Sequence, residues 1–181
     1  MTRIIALVGM PGAGKSEVAG IFQKNGFEVI HFGDVTWQEL KKLGLQYNEH
    51  NERYIRELLR GKHGMAAYAI VNLPRIDGAL ESSDVVVDGL YSWEEYLLLK
   101  EKYSDILKVV AVWASPGTRY FRLSSRAIRP LSALEASSRD TAEIEQLNKG
   151  GPIAMADFTI TNESSLQKLT EETEEVIKDL R

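Results

Sequence analysis

The stretch IIALVGMPGAGKS, Ile4 to Ser16, limits what this chain can fold into more than any other feature. Its apolar half, Arg3 to Val8, reads as a strand covered on both faces. The run then breaks into backbone almost free of side chains. From Glu17 to Asn25 apolar residues return at helical spacing (Val18, Ala19, Ile21, Phe22), with Gly26 as a stop. Gly9-Met10-Pro11-Gly12-Ala13-Gly14-Lys15-Ser16 fits the pattern G-x-x-x-x-G-K-[ST] in full. Successive amide N–H groups can wrap a phosphate chain only where Cβ atoms are small or absent, hence Gly12, Ala13 and Gly14. The helix that follows aims its positive end at the same anion. Lys15 can span terminal phosphates, and the Ser16 hydroxyl can ligate the Mg²⁺ that accompanies a nucleoside triphosphate such as ATP. Glu17 opens the helix beside them. A tight turn without a ligand would account for the glycines alone, but not for the strand before and the amphipathic helix after.

The remaining pattern alternates in the same way. Phe27 to Phe32 reads as a second strand closed by Gly33-Asp34, with helical stretches over Val35 to Leu43 and about Asn51 to Arg60. Met65 to Leu73 reads as a helix ending before Pro74, and Asp84 to Val87 as a third strand cut off by Asp88-Gly89. Trp93 to Tyr103 is helical, Lys108 to Ala114 a fourth strand, and Thr118 to Ala127 helical again. Phe158 to Thr161 is a fifth strand and Leu166 to Leu180 a closing amphipathic helix. Buried-type strands separated by helices imply βαβ crossovers: an α/β protein with a five-stranded parallel sheet and helices on both faces. Ile128 to Gly151 is polar, and reads either as a surface excursion or as a mobile cover.

Composition narrows the function classes. With 181 residues the chain suits one domain with a proper core, and a net charge of −4 without a basic tail argues against a nucleic-acid partner. The absence of cysteine removes disulfides and thiolate metal sites. No apolar run approaches the roughly 20 residues a membrane helix needs, and no leader is visible at the start, so a cytoplasmic location without a membrane partner is expected. The chain is expected to act as a monomer or homodimer.

Several polar residues stand where chemistry needs them. Asp34 and Asp88 each follow a strand and neighbour a glycine, and ligands of parallel sheets bind beyond the carboxyl ends of strands. One carboxylate can hold Mg²⁺, the other can orient or deprotonate an attacking hydroxyl; Asp beside Gly is also ordinary turn chemistry. Arg122 and Arg126 fall one turn apart on a predicted helix, with Arg129 and Arg139 in the segment after it. Such arginines can neutralise a transferring phosphoryl group or be solvated surface. Arg53, Arg56 and Arg60 with Lys62 can receive an anionic acceptor or pair with Glu49, Glu52 and Glu57. His31 reads as a packed strand residue. Trp37, Trp93 and Trp113 read as core, with Trp37 also placed to stack on a planar substrate.

In this order the cradle, the two aspartates and the arginine segment resemble P-loop kinases of nucleotides. The likeness is to adenylate-kinase-like and dephospho-CoA-kinase-like proteins, and most of all to an archaeal-type group of small adenylate-kinase-related ATPases. In them GMPGAGKS is the phosphate loop, FGD follows the second strand at the acceptor pocket, and VVVDG ends the third strand as a Walker-B-like acid. RLSSR opens a lid, SRD closes it, and ADFTITN matches the last strand. The resemblance implies a P-loop NTPase three-layer α/β/α sandwich. Its core would span about 1–34, 75–127 and 152–181, with a helical acceptor-binding insertion at about 35–74 and a lid at about 128–151. It implies transfer of the γ-phosphoryl of ATP, with Mg²⁺ on Ser16 and Asp88, to a small nucleotide-like acceptor. Lys15, Asp34, Asp88, Arg122, Arg126 and Arg139 would serve the chemistry, with Arg122 and Arg126 also on the nucleotide. Asp34, Trp37, Arg56, Arg60, Asp88, Gly89, Tyr91 and Arg139 would serve the acceptor. The chain departs from adenylate kinases in two places: Val35-Thr36-Trp37 and Leu90-Tyr91-Ser92 stand where acceptor-phosphate arginines belong. Either Arg56, Arg60 or Arg75 substitutes, or the acceptor has no phosphate there, as in a nucleoside or dephospho-CoA. Beyond SRD, Lys149 stands in for a further lid arginine. A regulatory ATPase switch is the alternative from another class.

Overall fold

The computed structural model describes residues 2–127 and 130–180, with Glu49 by its backbone only. Arg129 and the Glu49 side chain therefore lie outside the described residues. Among the described residues no helix is long and apolar enough to cross a membrane.

The strands are β1 (Ile4–Val8), β2 (Glu28–His31), β3 (Val85–Asp88), β4 (Leu107–Trp113) and β5 (Phe158–Thr161). They form one sheet in the order β2-β3-β1-β4-β5, and every pairing is parallel. In β1, Ile4, Ala6 and Val8 face one apolar core while Ile5 and Leu7 face another. Alternation with no polar member is what a strand sandwiched between helical layers requires. One layer holds α2 (Asp34–Lys42), α3 (Glu49–His63), α4 (Ala67–Leu80) and α5 (Trp93–Tyr103); the other holds α1 (Lys15–Lys24) and α9 (Leu166–Asp179). The chain continues through α6 (Pro116–Ser124), α7 (Ala133–Glu145) and the short α8 (Gly150–Ala154).

Five expectations change. First, α4 does not stop at Pro74 but runs through it to Leu80, so a boundary at 74 falls inside a helix. Pro74 is exposed, and the Ile70 carbonyl one turn back, deprived of its usual donor, can turn to water. Second, the polar stretch after Ile128 contains the ordered α7, and α8 spans the boundary at 151. Ser132 starts α7 with a capping box to Glu135. Third, α6 ends at Ser124, so Arg126 follows the helix instead of sharing a face of it with Arg122. Fourth, β2 is an edge strand, separated from β1 by β3; Asp34 therefore does not flank the phosphate loop as Asp88 does. Fifth, Trp37 and Trp113 are about half exposed (53% and 48%), while Trp93 stacks on Tyr96.

Candidate active site

Helix α1 starts at Lys15, with Gly14 as its N-cap in the left-handed region, φ 103°. A Cβ on Gly14 would lie 2.2 Å from Asn162 Nδ2, so only glycine permits this approach. Asn162 uses that approach: its Nδ2 donates to the Ala13 carbonyl at 2.8 Å, and its Oδ1 accepts from Arg122 Nη2 at 3.3 Å. Arg119, 4% exposed, braces the other side of the loop. Its guanidinium donates to the Pro11 carbonyl at 3.2 Å, to the Ala114 carbonyl at 3.1 Å, and to both Asp140 oxygens at 2.8 and 2.6 Å. The sequence reading gave Arg119, Asp140 and Asn162 no individual role. The signal for Arg119 was faint: an arginine beside Leu123 on the inward face of an otherwise polar helix.

Lys15 folds back over the loop, its ammonium donating to the Gly9 carbonyl at 2.9 Å and to that of Met10 at 3.4 Å. Burial, and then the Lys149 ammonium, hold the Lys15 amine down to about 8, against the pull of Asp88 and Glu143. Beside the loop opens a cavity of ≈ 390 Å³. Gly12, Gly14, Lys15, Ser16 and Glu17 form one wall, Arg122, Arg126 and Asn162 another, with Leu166 and Leu169 as an apolar flank. The buried Nη1 of Arg122 has no protein partner. A buried donor without a partner costs about 1–3 kcal/mol.

On the β3 side, Asp88 accepts from Ser16 Oγ at 3.4 Å, and His31 Nδ1 lies 3.0 Å from the same oxygen. That hydrogen bond raises the His31 pKa, with burial opposing it. His31 is thus a half-exposed partner of Asp88 and not a packed core residue, because β2 is an edge strand. A hydroxyl and a carboxylate are hard oxygen donors, and so few of them leave most of an octahedral shell to water and phosphate, as Mg²⁺ prefers.

The acceptor-side residues divide. Asp34 begins α2 and pairs with Arg75 Nη2 at 3.3 Å. The exposed Trp37 ring carries Lys41 5.5 Å from its centroid. Thr36, where an arginine was sought, is buried and shares a 2.6 Å hydrogen bond with Tyr68. Tyr91, at the other such place, folds over Gly89, where a Cβ would lie 2.9 Å from its hydroxyl; burial raises its pKa, with Asp88 adding to the effect. Arg56 pairs with Glu52 within its own helix. Arg60 lies over the Tyr68 ring, its Nε buried and without a hydrogen bond. Arg139 sits on α7, bound to Glu143 at 3.3 Å, and Lys149, 1% exposed, pairs with the same carboxylate over the Tyr91 ring. The structure therefore gathers Lys15, Ser16, Glu17, Asp88, Arg122 and Arg126 around the loop. It places Asp34 with Arg75 and Arg56 with Glu52, and packs Arg60 of α3 on Tyr68 of α4.

A glycine loop between a central parallel strand and a Lys-Ser helix start, with an acid at the end of the adjoining strand, defines a P-loop kinase-like protein. Over residues 5–146 the sequence matches the family described as "AAA domain". The "UPF0200 protein" of Pyrococcus abyssi is 34% identical over 181 residues, 98% of this chain and 96% of that one, and the chain belongs to the UPF0200 family. Among solved structures, shikimate kinase from Acinetobacter baumannii in complex with shikimate superposes with a TM-score of 0.64 at 20% identity, covering 99% of this chain and 94% of that one. A gluconokinase from Sinorhizobium meliloti gives 0.59 at 16% identity, with 98% and 95% covered. At such identities the likeness is one of fold. Two neighbours named for different acceptors show how little the fold says about that substrate.

Proposed function

We propose that this protein is an ATP- and Mg²⁺-dependent small-molecule kinase that transfers the γ-phosphoryl group to a nucleotide-like acceptor, in the manner of a nucleoside monophosphate kinase. The observation that carries the reading is the meeting of Ser16 Oγ and Asp88 Oδ2 at 3.4 Å beside the Lys15 ammonium. Metal donors and a phosphate-gripping cation then share one edge of an amide-lined loop. Ser16 and Asp88 would hold Mg²⁺, which when bound neutralises phosphate charge. Lys15 leaves the Gly9 and Met10 carbonyls for the outer phosphates, and Arg122 faces the nucleotide from the α6 side of the cavity. On the acceptor side Asp34 orients the attacking hydroxyl and takes its proton, while Arg75 offers its guanidinium to an anionic group of the acceptor.

A second reading, a regulatory ATPase switch, draws on the neutral side chains of the buried Thr36 and the partly buried Tyr91 at the two places where an adenylate kinase carries acceptor arginines. A coupled ADP-release screen with Mg·ATP against nucleoside monophosphates, deoxynucleosides and dephospho-CoA separates the two. The kinase reading expects one acceptor to give saturable turnover that disappears in Lys15→Ala with the fold intact. ATP consumption stimulated only by a macromolecule would replace it with the switch.

A further inference from the structure

Two basic side chains make direct contact with one carboxylate in the middle of this site. Glu143, on the last turn of α7, receives Arg139 Nε on Oε1 at 3.3 Å and Lys149 Nζ on Oε2. The position of Lys149 fixes where this happens. Its ammonium is 5.4 Å from the centroid of the Tyr91 ring, Tyr91 packs over Gly89, and Gly89 follows Asp88, the partner of Ser16. The carboxylate therefore lies on the Asp88 side of the phosphate loop, near enough to Lys15 for the two charges to act on each other. Burial works against its charge, but Lys149, Arg139 and Lys15 outweigh it and hold the Glu143 carboxyl below the usual range.

We infer that Glu143 is a resident counter-anion, occupying the place among Lys15, Arg139 and Lys149 that the outermost phosphate of a bound polyphosphate takes, and that binding displaces it. The inference rests on the cradle being a polyphosphate site. Its physical basis is that two anions cannot share one set of cations without repulsion. The two direct partners differ in a way that sets the direction of release. The Arg139 side chain is 51% exposed, whereas that of Lys149 is 2% exposed. Glu143 can move outward with Arg139 into water, leaving Lys149 behind for the incoming oxygen. This also gives the site a threshold. An anion with one or two charges gains too little to displace a buried carboxylate, whereas a triphosphate spread along the loop amides, Lys15 and Arg122 gains enough.

The test uses the full chain with inorganic tripolyphosphate, which has no base to bind elsewhere, and with Mg·ATP. In Glu143→Gln the dissociation constant of tripolyphosphate, measured calorimetrically, should tighten about tenfold, the equivalent of roughly 1.4 kcal/mol, and Lys149→Gln should weaken it. Equal or weaker binding by Glu143→Gln would show that the carboxylate merely positions Lys149, and would overturn the inference. Should that variant fold poorly, hydrogen exchange on the wild type decides: tripolyphosphate should speed exchange over residues 139–149, and slowed exchange there refutes displacement. A wild type that binds no polyphosphate overturns the kinase reading and this inference with it. Equal binding by wild type and variant overturns this one alone.

Discussion

The Arg119–Asp140 pair offers the sharpest prediction, because its burial sets the magnitude. Both residues are nearly inaccessible (4% and 8%), and the guanidinium engages both carboxylate oxygens, with Tyr120 Oη adding a third donor at 3.1 Å. Removing one partner of a buried pair typically costs about 3–5 kcal/mol, since the charge left behind is uncompensated. In Asp140→Ala, Arg119 keeps the Ala114 and Pro11 carbonyls, so a value near the lower end, about 3 kcal/mol, is expected. For a chain of this size that lowers Tm by roughly 6–12 °C. Urea unfolding followed by tryptophan fluorescence measures it, and a loss below about 1 kcal/mol would mean that the pair is screened as a surface pair is. The double variant Arg119→Met/Asp140→Leu should regain most of the stability, because a fully apolar replacement leaves no stranded charge. It should nevertheless bind polyphosphate more weakly, because the Pro11 carbonyl has lost its brace. Recovery of both stability and affinity would refute the view that Arg119 shapes the loop.

Two further outcomes concern pH. Lys15 has its amine held down to about 8 in the folded chain against about 10.5 unfolded. Its charge therefore costs stability below pH 8, and that cost is relieved as pH rises toward 10.5. A bound polyphosphate favours the charged form, so calorimetry near pH 8.5 should record proton uptake as a dependence of the heat on buffer; no such dependence counts against Lys15 as the phosphate cation. Glu95 is fully buried, with its Oε1 lacking any partner, and burial raises its pKa to about 7. Because that value lies above the unfolded one, its stabilising contribution is complete below about pH 4.5 and is lost as pH climbs through 7. Urea midpoints at pH 5 and pH 8 should differ in the wild type and converge in Glu95→Gln.

Where local signals and packing agree, the elements fall where the residues place them. Helix α5 begins and ends at Trp93 and Tyr103 because Ser92 and Glu95 form a capping box, and β5 covers Phe158 to Thr161 as its apolar pattern requires. Helix α7 escaped a search for apolar stripes because the residues it buries are Ala136, Asp140 and Glu143; it is held by ion pairs more than by hydrophobic contact. The loop itself was legible because amide geometry demands glycine, whereas its braces were not. Arg119 and Asn162 act through carbonyls distant in sequence, and neither residue type announces such a partner. Asp88 and Asp34 looked equivalent as strand-end acids. Only the sheet order, which sets β3 beside β1 and β2 at the edge, separates them.

The clasp between Asn162 and the Ala13 carbonyl joins two segments 149 residues apart in the sequence. The cradle owns its amides locally, but the clip that fixes their curvature comes from the residue just after β5. The curvature of the cradle is thus set by the register of β5 on β4, and a shift of that register would reach the loop amides through one side chain.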